Sequence, residues 1–248
     1  MDPHAPAPVR VLIWHEHRHE KINPRVADLY PDGMHEAIAA ALRLDPRLRV
    51  ETATLDDPNH GITADRLADT DVIVWWGHMA HHEVNDDAVD LVTRAVWDGT
   101  GAVFLHSAHF AKPFKRLMGT GCDLKWREAG DKEILWVTRP GHPLVDGIDD
   151  HIVLPHEEMY GEFFDVPEPD ETVMISSFSG GEVFRSLMTW TRGAGRVAYF
   201  RPGHETYPTY HDPQVLRVIR NACHWAATRP TPPVQRFGKH DVGWMDAG

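Results

Sequence analysis

The segment Asp86–His109, with the sequence DDAVDLVTRAVWDGTGAVFLHSAH, decides the fold class of this chain. Its first half predicts an amphipathic helix over 86–97, with one apolar side formed by Val89, Val92, Ala95 and Val96. Its second half predicts a short buried strand over 101–105, because small and apolar residues run without interruption until His106. A helix that leads directly into a buried strand is typical of a parallel sheet covered by helices.

The same alternation extends towards the N-terminus. Apolar runs and helical spacing predict strands over 10–14 and 50–55, a strand that ends at Trp76, and a helix over 31–44. Beyond residue 121 the pattern predicts strands with few helices between them, around 134–137, 173–176, 183–189 and 196–200, with a hairpin turn at 191–195 and a last helix over 215–227. We therefore predict an α/β fold with a mostly parallel sheet and helices on both faces.

The chain is expected to form one domain over 1–229, followed by a Pro-rich tail over 230–248, because no repeat or Ser/Gly-rich linker divides it. Only Cys122 and Cys223 are present, so no disulfide framework is expected. No secretory leader and no apolar segment of membrane-spanning length is apparent, and we expect a cytoplasmic protein.

The charge balance bears on the partners of the chain. Its 248 residues include 25 Lys and Arg against 37 Asp and Glu, a formal net charge of −12. Nucleic acids and anionic membranes need clustered positive charge, so neither is expected as a partner. Nine Trp residues and an acidic surface are compatible with a homo-oligomer.

The 18 histidines fall into clusters, and five of these clusters follow predicted strands or strand-like segments. The clusters are His15-Glu16-His17, His78 with His81-His82-Glu83, His106-Ser107-Ala108-His109, His156-Glu157-Glu158-Met159-Tyr160, and His204-Glu205. Ligands of open parallel sheets bind beyond the carboxyl ends of the strands, so these clusters are expected to share one site. The isolated His4, His35, His60 and His240 are interpreted as surface residues, and His142 and His151 as hydrogen-bonding residues of loops.

Histidines from different strand ends are suited to hold zinc, and we predict a zinc site formed by His15, His78, His106 and His204. Neighbouring carboxylates supply a ligand, an orienting group or a general base. The predicted catalytic residues are His156, Glu157, Glu158, Tyr160 and Glu205. No HExxH or CxxC pattern is present, so the zinc prediction depends on the clusters alone.

The turn after the predicted strand 101–105 has the position of a nucleophile elbow, with Ser107 or His106 at its tip. His204-Glu205 would approach it from a neighbouring strand, as in a Cys-His-Glu triad. Neither cysteine lies at this turn, so thiol chemistry is not expected.

Six motifs resemble those of the ThuA-like trehalose utilisation proteins, and the resemblance covers about residues 9 to 228. The motifs are VLIWHE at 11–16, WGH at 76–78, FLHSAHF at 104–110, LMGT at 117–120, PHEEMY at 155–160 and PGHETYPTYH at 202–211. The resemblance implies a flavodoxin-like, class I glutamine amidotransferase-like three-layer sandwich with a mostly parallel central sheet. It also implies a role in the catabolism of trehalose and related glucosides, beside an NAD-dependent dehydrogenase that makes 3-keto sugars.

Carried over by residue, His106, Glu158, Tyr160 and His204 match positions across the wider family. His15, Glu16, His78, His109, His156 and Glu205 match its trehalose-utilisation branch. The nucleophilic Cys of true amidotransferases is missing from the elbow, so glutaminase activity is not expected.

Three functional hypotheses follow. The first is an enzyme acting on a disaccharide or its 3-keto derivative, in which Glu158 or Glu157 removes a proton next to the ketone while a metal or His polarises it. The second is a metal-dependent amide or ester hydrolase that uses the same residues. The third is a non-catalytic sugar-binding module that uses nearby aromatic side chains, namely Trp14, Trp75, Trp76, Tyr160 and Tyr207.

Overall fold

The computed structural model describes residues 7–227, so the predictions for His4, His240 and the tail at 230–248 lie outside the described residues. The described strands are β1 Val9–His15, β2 Leu48–Thr54, β3 Val72–Trp76, β4 Gly101–Leu105, β5 Lys125–Val137, β6 His151–Gly161, β7 Glu171–Phe178, β8 Val183–Arg192 and β9 Gly195–Phe200. The described α-helices are α1 His19–Ile22, α2 Pro24–Leu29, α3 Met34–Leu42, α4 Ala64–Ala68, α5 Asp86–Asp98, α6 Lys112–Met118 and α7 Pro213–Ala226.

All of these strands join one sheet in the order β2-β1-β3-β4-β9-β8-β7-β5-β6. The neighbours from β2 to β9 pair in parallel, as the βαβ pattern predicts. From β9 to β6 the pairing is antiparallel, with the predicted hairpin between β8 and β9. The α/β fold class predicted from the sequence is confirmed. The parallel part also sets the location of the site, because its strands end at a common edge.

Helices cover both faces of the sheet and divide the core into two layers. On one face, α5 buries Val89, Val92 and Val96 against the sheet. On the other face, α3 and α7 bury the apolar sides that include Ile38 and Val218. Helix α5 begins where its helical pattern begins, because the Asn85 side chain accepts a hydrogen bond from the amide of Ala88 at 2.7 Å. None of the helices within residues 7–227 is long and apolar enough to cross a membrane.

One element differs from the prediction in a way that affects the site. Residues 156–160 were expected to follow a short strand, but β6 continues to Gly161, so this cluster lies within the strand. Pairing with β5 explains the difference, because Glu157 and Tyr160 each lie opposite a residue of the long strand β5 in the antiparallel register. The charged residues that suggested a loop belong to a strand that is buried from Glu157 onwards.

Candidate functional site

His106 occupies the tip of the turn after β4. Its φ is 50°, a left-handed conformation that non-glycine residues rarely adopt. Its Nδ1 donates a hydrogen bond to the backbone carbonyl of Arg201 at 2.9 Å, and β9, which leads into Arg201, is the neighbour of β4 in the sheet. Because Nδ1 carries the proton, the neutral ring presents the Nε2 lone pair to the site. The adjacent Ser107 hydroxyl is buried and has no hydrogen-bond partner among the described residues.

Glu158 and Tyr160 face His106 from β6. The Glu158 Oε2 atom lies 3.1 Å from His106 Nε2. The Tyr160 ring stacks on the imidazole with centroids 4.9 Å apart, and its hydroxyl lies 3.4 Å from the same Nε2. Burial lowers the pKa of His106 well below its ordinary value and raises the pKa of Tyr160 well above its own. Both side chains are therefore neutral at physiological pH.

His204 completes a buried three-residue set with His106 and Glu158. One ligand atom of each residue lies within 4.8 Å of the others. The His204 ring meets His106 edge-on, with centroids 5.5 Å apart, and its Nδ1 lies 2.8 Å from the Thr206 hydroxyl. Burial lowers the pKa of His204 to about 3, which keeps its ring neutral and able to bind a metal.

The contact between His106 and Glu158 joins two electron-rich atoms. Nε2 of the neutral His106 ring has a lone pair, and Glu158 Oε2 has no hydrogen-bond partner among the described residues. Two buried acceptors at 3.1 Å are unfavourable unless a proton or a cation lies between them. The chemistry of these donors therefore fits a divalent metal.

His19, His78 and Glu205 form a second set of potential ligands beside the first. His19 Nε2 lies 2.9 Å from His78 Nδ1, and His19 Nδ1 lies 3.0 Å from Glu205 Oε1. One ligand atom of each lies within 4.8 Å of the others. His19 was not predicted as a site residue, although it continues the alternation of histidines at positions 15 and 17.

Glu16 holds the loop that carries His78. Its buried carboxylate accepts hydrogen bonds from the amides of His78, Met79 and Ala80 at 2.7, 2.9 and 3.0 Å. Three amide donors fix both the loop and the carboxylate, so Glu16 positions His78 rather than facing a substrate.

The structure places His15 outside the predicted zinc set. It is the last residue of β1 and pairs in register with Trp76, so both side chains point to the same face of the sheet. There His15 Nδ1 lies 3.0 Å from His35 Nδ1, and His15 Nε2 lies 3.6 Å from Glu20 Oε1. The interpretation of His35 as a surface residue is wrong, because its side chain is buried in this contact.

Glu157 also lies apart from the set. Its carboxylate accepts hydrogen bonds from the Gly203 amide and the Thr209 hydroxyl, and it lies 3.3 Å from the Arg201 guanidinium. Arg201 is fully buried, forms an ion pair with Glu133 as well, and donates a hydrogen bond to the backbone carbonyl of Glu158. The sequence analysis missed both Arg201 and Glu133, whose roles depend on contacts between distant strands.

His156 is exposed although it belongs to the same strand. Its ring Nδ1 donates a hydrogen bond to the Gly130 carbonyl at 3.3 Å. Of the other histidines, His142 Nδ1 accepts from the Leu144 amide, in agreement with the predicted hydrogen-bonding role in a loop. His151 Nδ1 lies 2.6 Å from Asp150, but His151 is the first residue of β6 and not part of a loop.

A cavity of about 390 Å³ opens above the first ligand set. It is lined by His78, His81, Ser107, His109, Phe110, Asp123, Leu124, Trp126, Glu128, Glu158, Tyr160 and His204. Of the aromatic residues considered for sugar binding, Tyr160 lines this cavity, whereas Trp14 and Trp75 stack on each other in the core at 3.8 Å. Trp126 is an exposed aromatic side chain at the cavity that the sequence analysis did not consider.

Neither cysteine occupies the tip of the elbow. Cys122 and Cys223 are both free and buried, and burial raises the pKa of each thiol. Of the two residues considered for the tip of the elbow, it is His106 that has the left-handed backbone conformation.

Comparison with known proteins agrees with this architecture. The ThuA family model, described as trehalose utilisation, matches residues 10–226. A ThuA-like protein from Parabacteroides merdae is 15% identical, with 94% of each chain covered and a TM-score of 0.64. A cytoplasmic protein from Salmonella typhimurium is 15% identical over 88% of this chain and 99% of its own, with a TM-score of 0.59.

A more distant likeness relates the chain to the amidotransferases. PurLQS from Thermotoga maritima is 12% identical over 88% of this chain and 99% of its own, with a TM-score of 0.51. At such identities the likeness shows the fold, which is glutamine amidotransferase-like. No curated protein matches the chain.

Proposed function

The chain belongs to the ThuA (trehalose utilisation) family, and on that premise we propose that it is an enzyme of carbohydrate catabolism that acts on a disaccharide or its 3-keto derivative. The observation that carries this proposal is the meeting of His106 Nε2 and Glu158 Oε2, 3.1 Å apart, at a carboxylate that lines the cavity. A ketone makes the neighbouring C–H acidic, and removal of that proton starts an elimination or an isomerisation.

Zinc is the cofactor that we propose for His106, Glu158 and His204. Two histidines and one carboxylate form a ligand set that catalytic zinc uses, with a position left open for substrate. The ion would polarise the carbonyl oxygen of the keto sugar. The contact between His106 Nε2 and Glu158 Oε2 supports this assignment, because a cation between these two acceptor atoms would remove their electrostatic repulsion.

Glu158 is also the proton acceptor in this proposal: one carboxylate oxygen would bind the ion, and the other would accept the proton. Of the two carboxylates considered from the sequence, Glu158 lines the cavity and Glu157 is held by Arg201. Tyr160, whose pKa is raised by burial, keeps its proton and can donate a hydrogen bond to the substrate or to His106. Glu205 lies beside His204, with Oε2 3.7 Å from the Nε2 of that ring.

The cellular context is part of the same proposal. The substrate would come from an NAD-dependent dehydrogenase that oxidises a glucoside at C3, and the name of the Salmonella relative supports a cytoplasmic location. Homo-oligomerisation is also proposed, because large apolar side chains are exposed on the antiparallel part of the sheet and near it, among them Trp126, Trp136 and Phe163. Size-exclusion chromatography with light scattering measures that state directly.

The test is turnover of a 3-keto-disaccharide by zinc-loaded protein, with products identified by mass spectrometry. Glu158→Gln removes both a general base and a ligand of the ion, so it should lose at least about 10²–10⁴-fold in rate, while its unfolding transition stays cooperative. His156→Ala is the matched control, because the exposed ring lies outside the ligand set. Full turnover by Glu158→Gln would contradict the proposal, and cleavage of amides or esters instead of sugars would favour the hydrolase hypothesis.

A further inference from the structure

We propose that the site binds a second divalent cation at His19, His78 and Glu205, next to the ion assigned to His106, Glu158 and His204. This inference rests on the proposed function, because the two ions would act on one substrate. The ligands come from three separate elements: α1, the loop after β3 and the loop after β9.

The donors of this second set already face one another. His19 lies between the other two, with Nε2 2.9 Å from His78 Nδ1 and Nδ1 3.0 Å from Glu205 Oε1. One ligand atom from each residue fits within 4.8 Å, as in the first set. Two imidazoles and one carboxylate are again a combination that suits zinc and related divalent metals.

One carboxylate oxygen of Glu205 is unsatisfied, which supports a cation here. Glu205 is 3% exposed, and its Oε2 has no hydrogen-bond partner among the described residues. Its oxygens lie beside the rings of His19 and His204. A buried carboxylate is costly unless it is paired or coordinates a metal, and a cation at this position would offset that cost.

The surroundings hold the ligands in place. The carboxylate of Glu16 fixes the backbone of His78 through its amide hydrogen bond of 2.7 Å. Trp76 packs edge-on against His19 at 6.1 Å, and its indole N–H donates to the Gly203 carbonyl at 3.0 Å, two residues before Glu205. Metal sites depend on such outer contacts to orient their ligands.

Glu205 also links the two sets. Its Oε1 faces His19, and its Oε2 lies 3.7 Å from Nε2 of His204, a member of the first set. The His78 ring lies 5.8 Å from that of His204 and 6.5 Å from that of His106. This proximity places the two sets within one centre, as in enzymes where two metals flank the reacting group.

Zinc stoichiometry tests the proposal. Tag-free protein is incubated with zinc chloride, desalted, and measured by inductively coupled plasma mass spectrometry. We expect two equivalents in the parent, one in His19→Ala and one in His106→Ala. His82→Ala removes an exposed histidine of the neighbouring turn and should keep two. If His19→Ala lacks a cooperative unfolding transition, Glu205→Gln, which keeps the side-chain shape, replaces it with the same expected loss.

The outcomes separate this inference from the proposed function. One equivalent in the parent that survives in His19→Ala and disappears in His106→Ala would overturn the second site and leave the first. Two equivalents in His19→Ala would also overturn it. No bound zinc in the parent would overturn both metal assignments.

Discussion

His106 and Glu158 are held by one buried residue, Arg201, although β4, which precedes His106, and β6, which carries Glu158, are not neighbours in the sheet. The Arg201 carbonyl accepts the Nδ1 hydrogen of His106, and the Arg201 guanidinium donates to the carbonyl of Glu158 at 2.5 Å. Glu133 and Glu157 balance the guanidinium charge from β5 and β6. The positions of the reactive atoms thus depend on a polar network behind them.

Glu158→Gln should leave the metal-free protein as stable as the parent or more stable by about 0.5–1.5 kcal/mol. The amide N–H of glutamine can donate to His106 Nε2, which turns a contact between two acceptors into a hydrogen bond. Urea unfolding in the presence of EDTA measures this difference. Added zinc should raise the stability of the parent by more than that of the variant, because the variant lacks a ligand of the first set.

Glu157→Gln is the matched control and should have the opposite effect. Its carboxylate pairs with Arg201 and accepts hydrogen bonds from Gly203 and Thr209, so its loss should destabilise the chain by about 1–3 kcal/mol. A metal-free Glu158→Gln variant that is destabilised as much as Glu157→Gln would show that the two acceptors do not conflict.

Glu133 should make the chain less stable as the pH rises through the weakly acidic range. Burial raises the pKa of Glu133 from an ordinary 4.5 to about 7. Between these values the unfolded state releases a proton that the folded state retains, so the free energy of unfolding falls with rising pH.

The comparison of the parent with Glu133→Gln isolates this contribution, because the buried histidines are common to both chains. The stability of the parent relative to the variant should decrease from pH 4.5 to about 7 and then level off. Urea midpoints across this range in EDTA measure the difference. A difference that stays constant or rises with pH would contradict the assignment.

His156→Ala should leave zinc content and turnover unchanged and alter stability by no more than about 0.5 kcal/mol. The sequence suggested a catalytic role for His156, but the structure places its ring at the surface beside the Gly130 carbonyl. Tyr160→Phe on the same strand is the paired change and should lower turnover, because its hydroxyl lies 3.4 Å from His106 Nε2. An equal loss of turnover in both variants would show that His156 does contribute to catalysis.

The elements that the sequence predicted best are those whose pattern is local. The strand at 101–105 and the helix that begins at Asp86 agree with β4 and α5, because buried runs and helical spacing need no knowledge of partners. Helices α1 and α2 were missed since four and six residues are too few for a periodic signal. Strand β5 was predicted only over 134–137 because its first part alternates exposed charges with few buried residues.

The site follows the same rule. The positions of His78, His106 and His204 after strands were predictable, because parallel strands end at one edge. The network behind them was not, since His106 and Arg201 lie 95 positions apart and meet only through the pairing of β4 with β9. His15 was predicted to follow its strand, but it is the last residue of β1, and its side chain contacts His35 and Glu20.

Gly203→Ala should weaken zinc binding at His204 and destabilise the chain by more than the ordinary cost of a left-handed alanine. Gly203 has φ 131°, and a Cβ there would lie 2.0 Å from the Tyr210 hydroxyl, so the loop that carries His204 must move. Gly119→Ala is the control, because Gly119 has φ 75° but a Cβ there meets no atom within 4 Å. It should lose only about 1–2 kcal/mol and retain its zinc. Urea unfolding and zinc content measure the two variants. Equal losses of stability and of bound zinc would mean that backbone strain alone causes them, and that the Tyr210 contact does not position His204.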